Sequence, residues 1–446
     1  MTSEVVAMNR MGIALAADSV ISVYSDGVHK KKHDSGAKLF MLSNVHPVGI
    51  MFFSNASFMG VPWETIIKLF RKSLGHASFD TLEEYGQELI KFLREQDKMF
   101  PIEVQQRYFI QKFRAECRDI EENCQQRFKK LHSSQTDDGD PNSNASLEIY
   151  ADVIRIRLEE WTNRPASENI DRDCAEIFLE SISDDLDSIV EQICTKFGLF
   201  GESIQQLREI ATSLIYKLNW GRELLTGTGL VIGGFGESEH FPVVQRINIG
   251  GRYNDVLKWQ EISVRKVSEE RPSYVESFAI TKAVDGFLAG IYTELHQLLE
   301  VMTKLIHDIP TLVNHILVER IENFEAEWGQ RLISVSNVLA TNLRDQVNYR
   351  VQSRKKDVLS VVEMLPLSEL ANVASTLVKL SSFEQLLQPQ TEAVGEPIDV
   401  AVISKGDGFI WIDRKFYFKN ELNYRYFDNL ERGILESQET HDREQG

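Results

Sequence analysis

The 446-residue sequence predicts an α+β protein in which antiparallel strands are interrupted by large helical insertions. Three observations carry that reading. The opening of the chain alternates like a hairpin. From Pro62 to about Trp220 apolar residues keep the three- and four-residue spacing of helices almost throughout. From Thr226, and again from Ile398, the period falls back to two.

In the opening stretch two apolar runs, Val5 to Met8 and Ile13 to Ala17, flank Asn9-Arg10-Met11-Gly12. Gly12 is expected to supply the positive φ that a short hairpin connection usually needs. Pairing Met8 with Ile13 sets a register that places Ser3 opposite Asp18 and Thr2 beside Ser19. Met1 precedes a small residue, the usual substrate for removal of the initiator Met, so Thr2 is the expected amino terminus. An N-terminal Thr carries nucleophile and base on one residue, because its hydroxyl attacks and its free α-amine takes the proton. That amine titrates at about 7.7 to 8.0 unperturbed, and a neighbouring cation lowers the value by disfavouring the ammonium. Lys38, in Gly36-Ala37-Lys38-Leu39-Phe40, is the candidate cation, with Asp18 as its ion-pair partner.

A Thr behind the initiator Met, then Gly12-Ile13-Ala14-Leu15-Ala16-Ala17-Asp18-Ser19, then Lys38-Leu39-Phe40, resembles the proteasome β-type subunits and their bacterial relatives among the N-terminal nucleophile (Ntn) hydrolases. The resemblance implies an αββα sandwich of antiparallel sheets and a threonine-type peptidase. Thr2 is then the nucleophile, with Asp18 and Lys38 at the family's catalytic positions, Lys38 after a few inserted residues. It also implies that Gly49 to Ala56 is the next strand and bend, where a backbone N–H forms the oxyanion hole. The family has Gly at that bend and this chain has Ser54-Asn55. Ser277 stands where the family keeps a supporting Ser, and Ser19 is a further candidate support. Ahead of the closing strand, however, active members place an Asp and then Ser-Gly-Gly, and this chain has Gln390-Thr391-Glu392-Ala393-Val394-Gly395.

The implied organisation is 2–75 as the first part of the sandwich, 76–225 as a helical insertion and 226–295 as the second part. Then come 296–365 as a second insertion or arm, 366–430 as the last helix and closing strands, and 431–446 as a loose tail. Within the first insertion Leu186, Ile189, Val190, Ile193 and Phe197 form one apolar helix face. The polar run 133–144 reads as a linker, lacking the bidentate Glu of a calcium loop. In 226–250 the glycines lack the spacing and the phosphate-reading Lys of a nucleotide site. In the second block Leu288, Ile291, Tyr292, Leu295, Leu299, Met302 and Ile306 read as one face. Its length suggests an arm or a coiled pair, and Pro310 is expected to kink or restart the helix. Ser368 is the expected cap of the last helix, and Ser404 to Gly408 the turn of a closing hairpin.

Composition narrows the function classes. A net charge of -18 argues against nucleic acid, whose phosphates need a basic surface. His29-Lys30-Lys31-Lys32-His33 reads as a solvated hairpin tip rather than a metal site. Four cysteines without a Cys-x-x-Cys pair suggest free thiols in a reducing compartment, and no apolar run reaches the ~18 residues that span a bilayer. A cytoplasmic enzyme without metal or cofactor is expected, acting on a peptide or protein and assembling as a homo-oligomer. The helical insertions are candidate sites for a protein partner. The competing readings are a catalytically inactive proteasome-like subunit and a helical scaffold on a sandwich platform.

Overall fold

A computed structural model describes residues 3–19, 21–25, 28–33, 36–132, 144–218, 227–320, 326–387, 397–416, 418–419 and 422–425. The amino-terminal strands are β1 (Ser3–Asn9), β2 (Gly12–Asp18), β3 (Ile21–Ser25), β4 (Val28–His33), β5 (Leu39–Met41) and β6 (Val48–Ser54). The short β7 (Ser57–Phe58) and β8 (Val61–Pro62) lead into the helices α1 (Trp63–Leu74), α2 (Leu82–Arg94), α3 (Ile102–His132) and α4 (Asn144–Thr162). The helical run continues with α5 (Arg172–Glu180), α6 (Ser183–Phe197) and α7 (Glu202–Tyr216). Strands return as β9 (Thr228–Gly234), β10 (Val243–Tyr253), β11 (Val256–Lys266) and β12 (Ser273–Ala279). They are followed by α8 (Lys282–Ala289), α9 (Thr293–Arg320), α10 (Ala326–Glu363), α11 (Leu367–Leu386), β13 (Ile398–Ser404) and β14 (Gly408–Asp413).

These elements form two compact units, Met1–Val20 with Val267–Tyr417, and Ile21–Lys266 with Phe418–Gly446. The first holds an antiparallel sheet of order β12-β1-β2-β13-β14. Its alternation follows the apolar pattern: Val5, Ala7, Ala14, Ala16, Val400 and Val402 share a core with Val284 and Leu288 of α8, Val362 of α10, and Leu370, Ala374 and Val378 of α11. The β1–β2 register runs from Met8↔Ile13 to Glu4↔Ala17, as the apolar runs require. Gly12 does not supply a positive φ, since it is absent from the left-handed residues. Its need is spatial: a Cβ there would lie 2.4 Å from the Ile403 carbonyl oxygen and 2.8 Å from Leu367 Cδ2. The turn instead relies on Asn9, whose Oδ1 accepts the Met11 N–H at 2.9 Å. The Asn9 amide also donates to the carbonyls of Val362 (3.0 Å) and Leu365 (2.8 Å), tying the hairpin to the end of α10.

Helix α9 runs through Pro310 without a restart, because the proline removes one donor but the flanking turns stay helical. The single apolar face expected for this block is split. Helix α8 ends at Gly290, whose φ of 70° is left-handed, and Leu295 and Met302 of α9 lie about half exposed. Helix α11 starts after Pro366 with no side-chain cap, and Ser368 sits inside its first turn instead of capping it. The β13–β14 hairpin closes as expected, with Ser404 Oγ accepting the Asp407 N–H at 2.9 Å.

The second unit holds an antiparallel sheet of order β11-β10-β9-β6-β5. One core packs Phe52, Ile50, Leu230 and Ile247 of this sheet under Trp63, Ile67 and Phe70 of α1 and Leu89 of α2. A second core is helical, with Phe109 and Phe113 of α3, Trp161 of α4, Phe178 of α5, and Leu186, Ile189 and Val190 of α6 gathered around α7. Gly229 is required by contact, since its Cβ would fall 2.1 Å from the Phe53 ring. The basic run Lys30–Lys32 is not a hairpin tip: it lies inside β4, paired with β3. Residues 133–143, 388–396 and 426–446, which carry the polar linker, the Gln390–Gly395 segment and the tail, fall outside the described residues.

Candidate functional site

Thr2 lies outside the described residues, and the structure begins one residue later. In the first unit the Ser3 N–H donates to Asp18 Oδ1 at 2.9 Å, and both residues are buried. The bond follows from the register: Glu4 pairs with Ala17, so the end of β2 stands against the beginning of β1. Ser19 is buried too, and its Oγ donates to the Pro397 carbonyl at 2.7 Å, fixing the end of β2 to the entry of β13.

Ser277 is on β12 opposite Val5, two residues before Ala279, which stands opposite Ser3. The hydroxyls of Ser277 and Ser3 are both buried without a hydrogen-bond partner among the described residues. A buried hydroxyl left so costs stability. Ala279 adds backbone strain there, with a φ of 65° that costs an L-residue with a Cβ roughly 1 kcal/mol.

Two carboxylates at this end were not singled out from the sequence. Glu4 and Asp399 both pair with Ala17, from β1 and β13 respectively, and both are buried. Asp399 accepts the Lys415 N–H at 2.8 Å. Burial pushes its carboxyl above the ordinary range, opposed by that hydrogen bond and the Arg414 charge. The alternating pattern of β13 was the available signal, since Asp399 interrupts an otherwise apolar strand.

The second unit carries Lys38, Ser54 and Asn55. Lys38 immediately precedes β5 and is only 2% exposed, which is rare for a lysine. Its carbonyl accepts the Phe52 N–H at 3.3 Å, joining the segment to β6. Ser54, the last residue of β6, has a φ of 76°. That is the conformation glycine adopts without penalty, so the bend keeps a glycine-like backbone although the side chain is Ser. Asn55 stabilises it: its side-chain oxygen accepts the Ser57 N–H at 3.2 Å, and its carbonyl accepts the Thr228 hydroxyl at 3.2 Å. Trp63 Nε1 in turn donates to Thr228 Oγ1 at 2.8 Å.

Burial raises all four cysteine thiols, Cys124 up to about 12, which disfavours the thiolate. Among the described residues no group of three or more His, Cys, Asp or Glu side chains could hold a metal ion. No helix of the described residues is long and apolar enough to cross a membrane.

No family model matches this chain, and no curated protein does. Among the solved structures similar to it is the Anbu (Gly-1) mutant from Hyphomicrobium sp. strain MC1. The identity is 11%, the match covers 99% of this chain and 97% of that one, and the TM-score is 0.28. The likeness is distant. At that TM-score it carries no argument.

Proposed function

We propose that this chain is a proteasome-like N-terminal threonine hydrolase, a peptidase that cleaves amide bonds of peptide or protein substrates with Thr2 exposed by removal of Met1. The observation that supports it most is the Ser3 N–H bond to Asp18, because it holds a buried carboxylate at the first peptide group after the candidate nucleophile.

In this reading the Thr2 hydroxyl attacks the scissile carbonyl carbon while the Thr2 α-amine takes its proton. The carbonyl π pair moves onto oxygen, and a backbone N–H at Ser54 or Asn55 donates to that oxyanion, a contact worth roughly 2.7 to 4 kcal/mol in other hydrolases. Collapse of the intermediate breaks the C–N bond, and the ammonium returns its proton to the leaving amine. Water then attacks the resulting ester while the amine takes its proton, and as the C–Oγ bond breaks the ammonium returns that proton to Thr2 Oγ, which releases the acid product and restores the neutral amine. In the scheme the family resemblance implies, Lys38 is the cation that disfavours the ammonium form of the amine, Asp18 is its carboxylate counterpart, and Ser277 and Ser19 are supporting hydroxyls.

Peptide hydrolysis by variants tests the proposal. Thr2→Ala and Lys38→Ala should each abolish most of the turnover, and the double variant should be little worse, because these groups act as one unit. An extra residue before Thr2 should abolish turnover by converting the amine to an amide. Undiminished hydrolysis by Thr2→Ala places the chemistry elsewhere. The departure at Gln390–Gly395 favours a second reading, an inactive structural subunit, for which correctly processed protein shows no turnover.

A further inference from the structure

Helices α9 and α10 form an antiparallel pair within the first unit: Ser336 Oγ donates to the Ile306 carbonyl, and Gly329 lies against Asn314. The face of α10 turned to α9 carries small residues, with Gly329, Ser336 and Ala340 buried, so the two backbones approach closely. Thr303 is buried on the matching face of α9.

The strongest periodicity of α9 is not on that face. Leu295, Leu298, Met302, Leu305, Ile309 and Leu312 recur at alternating steps of three and four, the seam of a coiled coil. Each of these six is between 47% and 64% exposed. On α10, Trp328, Leu332, Val335 and Leu339 continue the pattern at 44% to 60% exposure. On both helices the exposed stripe sits one residue before the contact stripe, a rotation of about 100°. Because the helices run in opposite directions, these two rotations carry both stripes to the same side of the pair. One side of the pair is therefore apolar along α9 and along the first part of α10, from Trp328 to Leu339.

We infer that this face binds the same face of a second copy of the chain, giving a two-fold symmetric four-helix bundle. Two antiparallel helices with coiled-coil spacing on one side are half of such a bundle, and a second helix pair with the same spacing completes it. This chain supplies one. The exposed apolar side chains leave on the order of 800 Å² uncovered, the share of one partner in a standard interface and above the ~300–600 Å² patch of a typical monomer. Charge permits self-association there: residues 293–363 hold 8 basic against 10 acidic residues, a net of -2 out of the chain's -18. The inference is independent of the catalytic reading.

Sedimentation or light scattering on the full chain tests it. Wild type should have a mass of twice 51.1 kDa, or an even multiple of that mass if other contacts add to this one. Leu298→Glu with Leu305→Glu should halve the mass, with association weakened at least ~30-fold, as expected for a lost interface hot spot. Should that pair fail to fold, Leu332→Gln with Leu339→Gln on the other helix makes the same prediction with a milder change. A control, Ser334→Glu, lies off the stripe and should leave the mass unchanged. A monomeric wild type at micromolar concentration, or folded stripe variants with wild-type mass, overturns the inference.

Discussion

Replacing Asp18 separates its structural role from the chemical one proposed for it. Asp18→Ala removes the acceptor of the Ser3 N–H, a bond of 2.9 Å between buried groups. A buried donor left unpaired costs about 1 to 3 kcal/mol, which corresponds to a roughly 5- to 150-fold change in a local opening equilibrium. Asp18→Asn keeps an oxygen at the same place, so it should restore most of that loss. It lacks the negative charge, so it cannot orient a lysine ammonium as a carboxylate does. Turnover should then stay down by roughly 10²-fold, the scale for a misplaced catalytic group. Amide exchange of the amino-terminal peptide, read by mass spectrometry, reports the first effect, and peptide hydrolysis the second. Unchanged exchange in the Ala variant refutes the structural argument, and full turnover in the Asn variant refutes the need for charge.

Further outcomes follow from the same geometry. Ser54→Gly should raise stability by up to about 1 kcal/mol in denaturant titration, since relief of about 1 to 2 kcal/mol of left-handed strain exceeds the added chain entropy. Ser54→Val should lower it, and equal stability of the two would contradict the strain. Ser277→Ala should stay within about 1 kcal/mol of wild-type stability, because the hydroxyl has no partner among the described residues, yet lose turnover if that hydroxyl supports the terminal amine. Asp399→Asn should stabilise the protein at pH 7. A carboxyl raised by burial contributes stability below its unfolded value near ~3.9 and loses it as pH rises through the folded value, so the gain from Asn should shrink as pH falls. A gain that grows toward acid reverses that sign.

Much of the local structure was legible in the sequence because it depends on near neighbours. The β1–β2 register follows from two apolar runs, and it alone brings Asp18 to Ser3. The closing hairpin follows from its glycines and Asp407. What escaped depends on partners distant in the chain. Gly12 looked like a turn residue, but its reason is the approach of β13 and α11, hundreds of residues later. Lys30 to Lys32 looked like a tip because lysine is uncommon in strands, yet pairing with β3 holds them in one. Leu295 and Leu299 read as one face because spacing cannot say which stripe of a broad apolar helix finds a partner. The buried Glu4 and Asp399 flanking Ala17 needed strand order as well as register. The left-handed Ser54 needed the backbone itself, since nothing about Ser announces a glycine-like φ.

The proposed chemistry stands or falls on Thr2 being a free amino-terminal nucleophile. Intact mass of untagged protein, before and after an electrophile directed at terminal threonine, tests it most directly. The protein should lack Met1 and then gain one adduct that maps to the peptide beginning at Thr2 and is absent from Thr2→Ala. Retained Met1, a blocked terminus, or an adduct that persists in Thr2→Ala contradicts it.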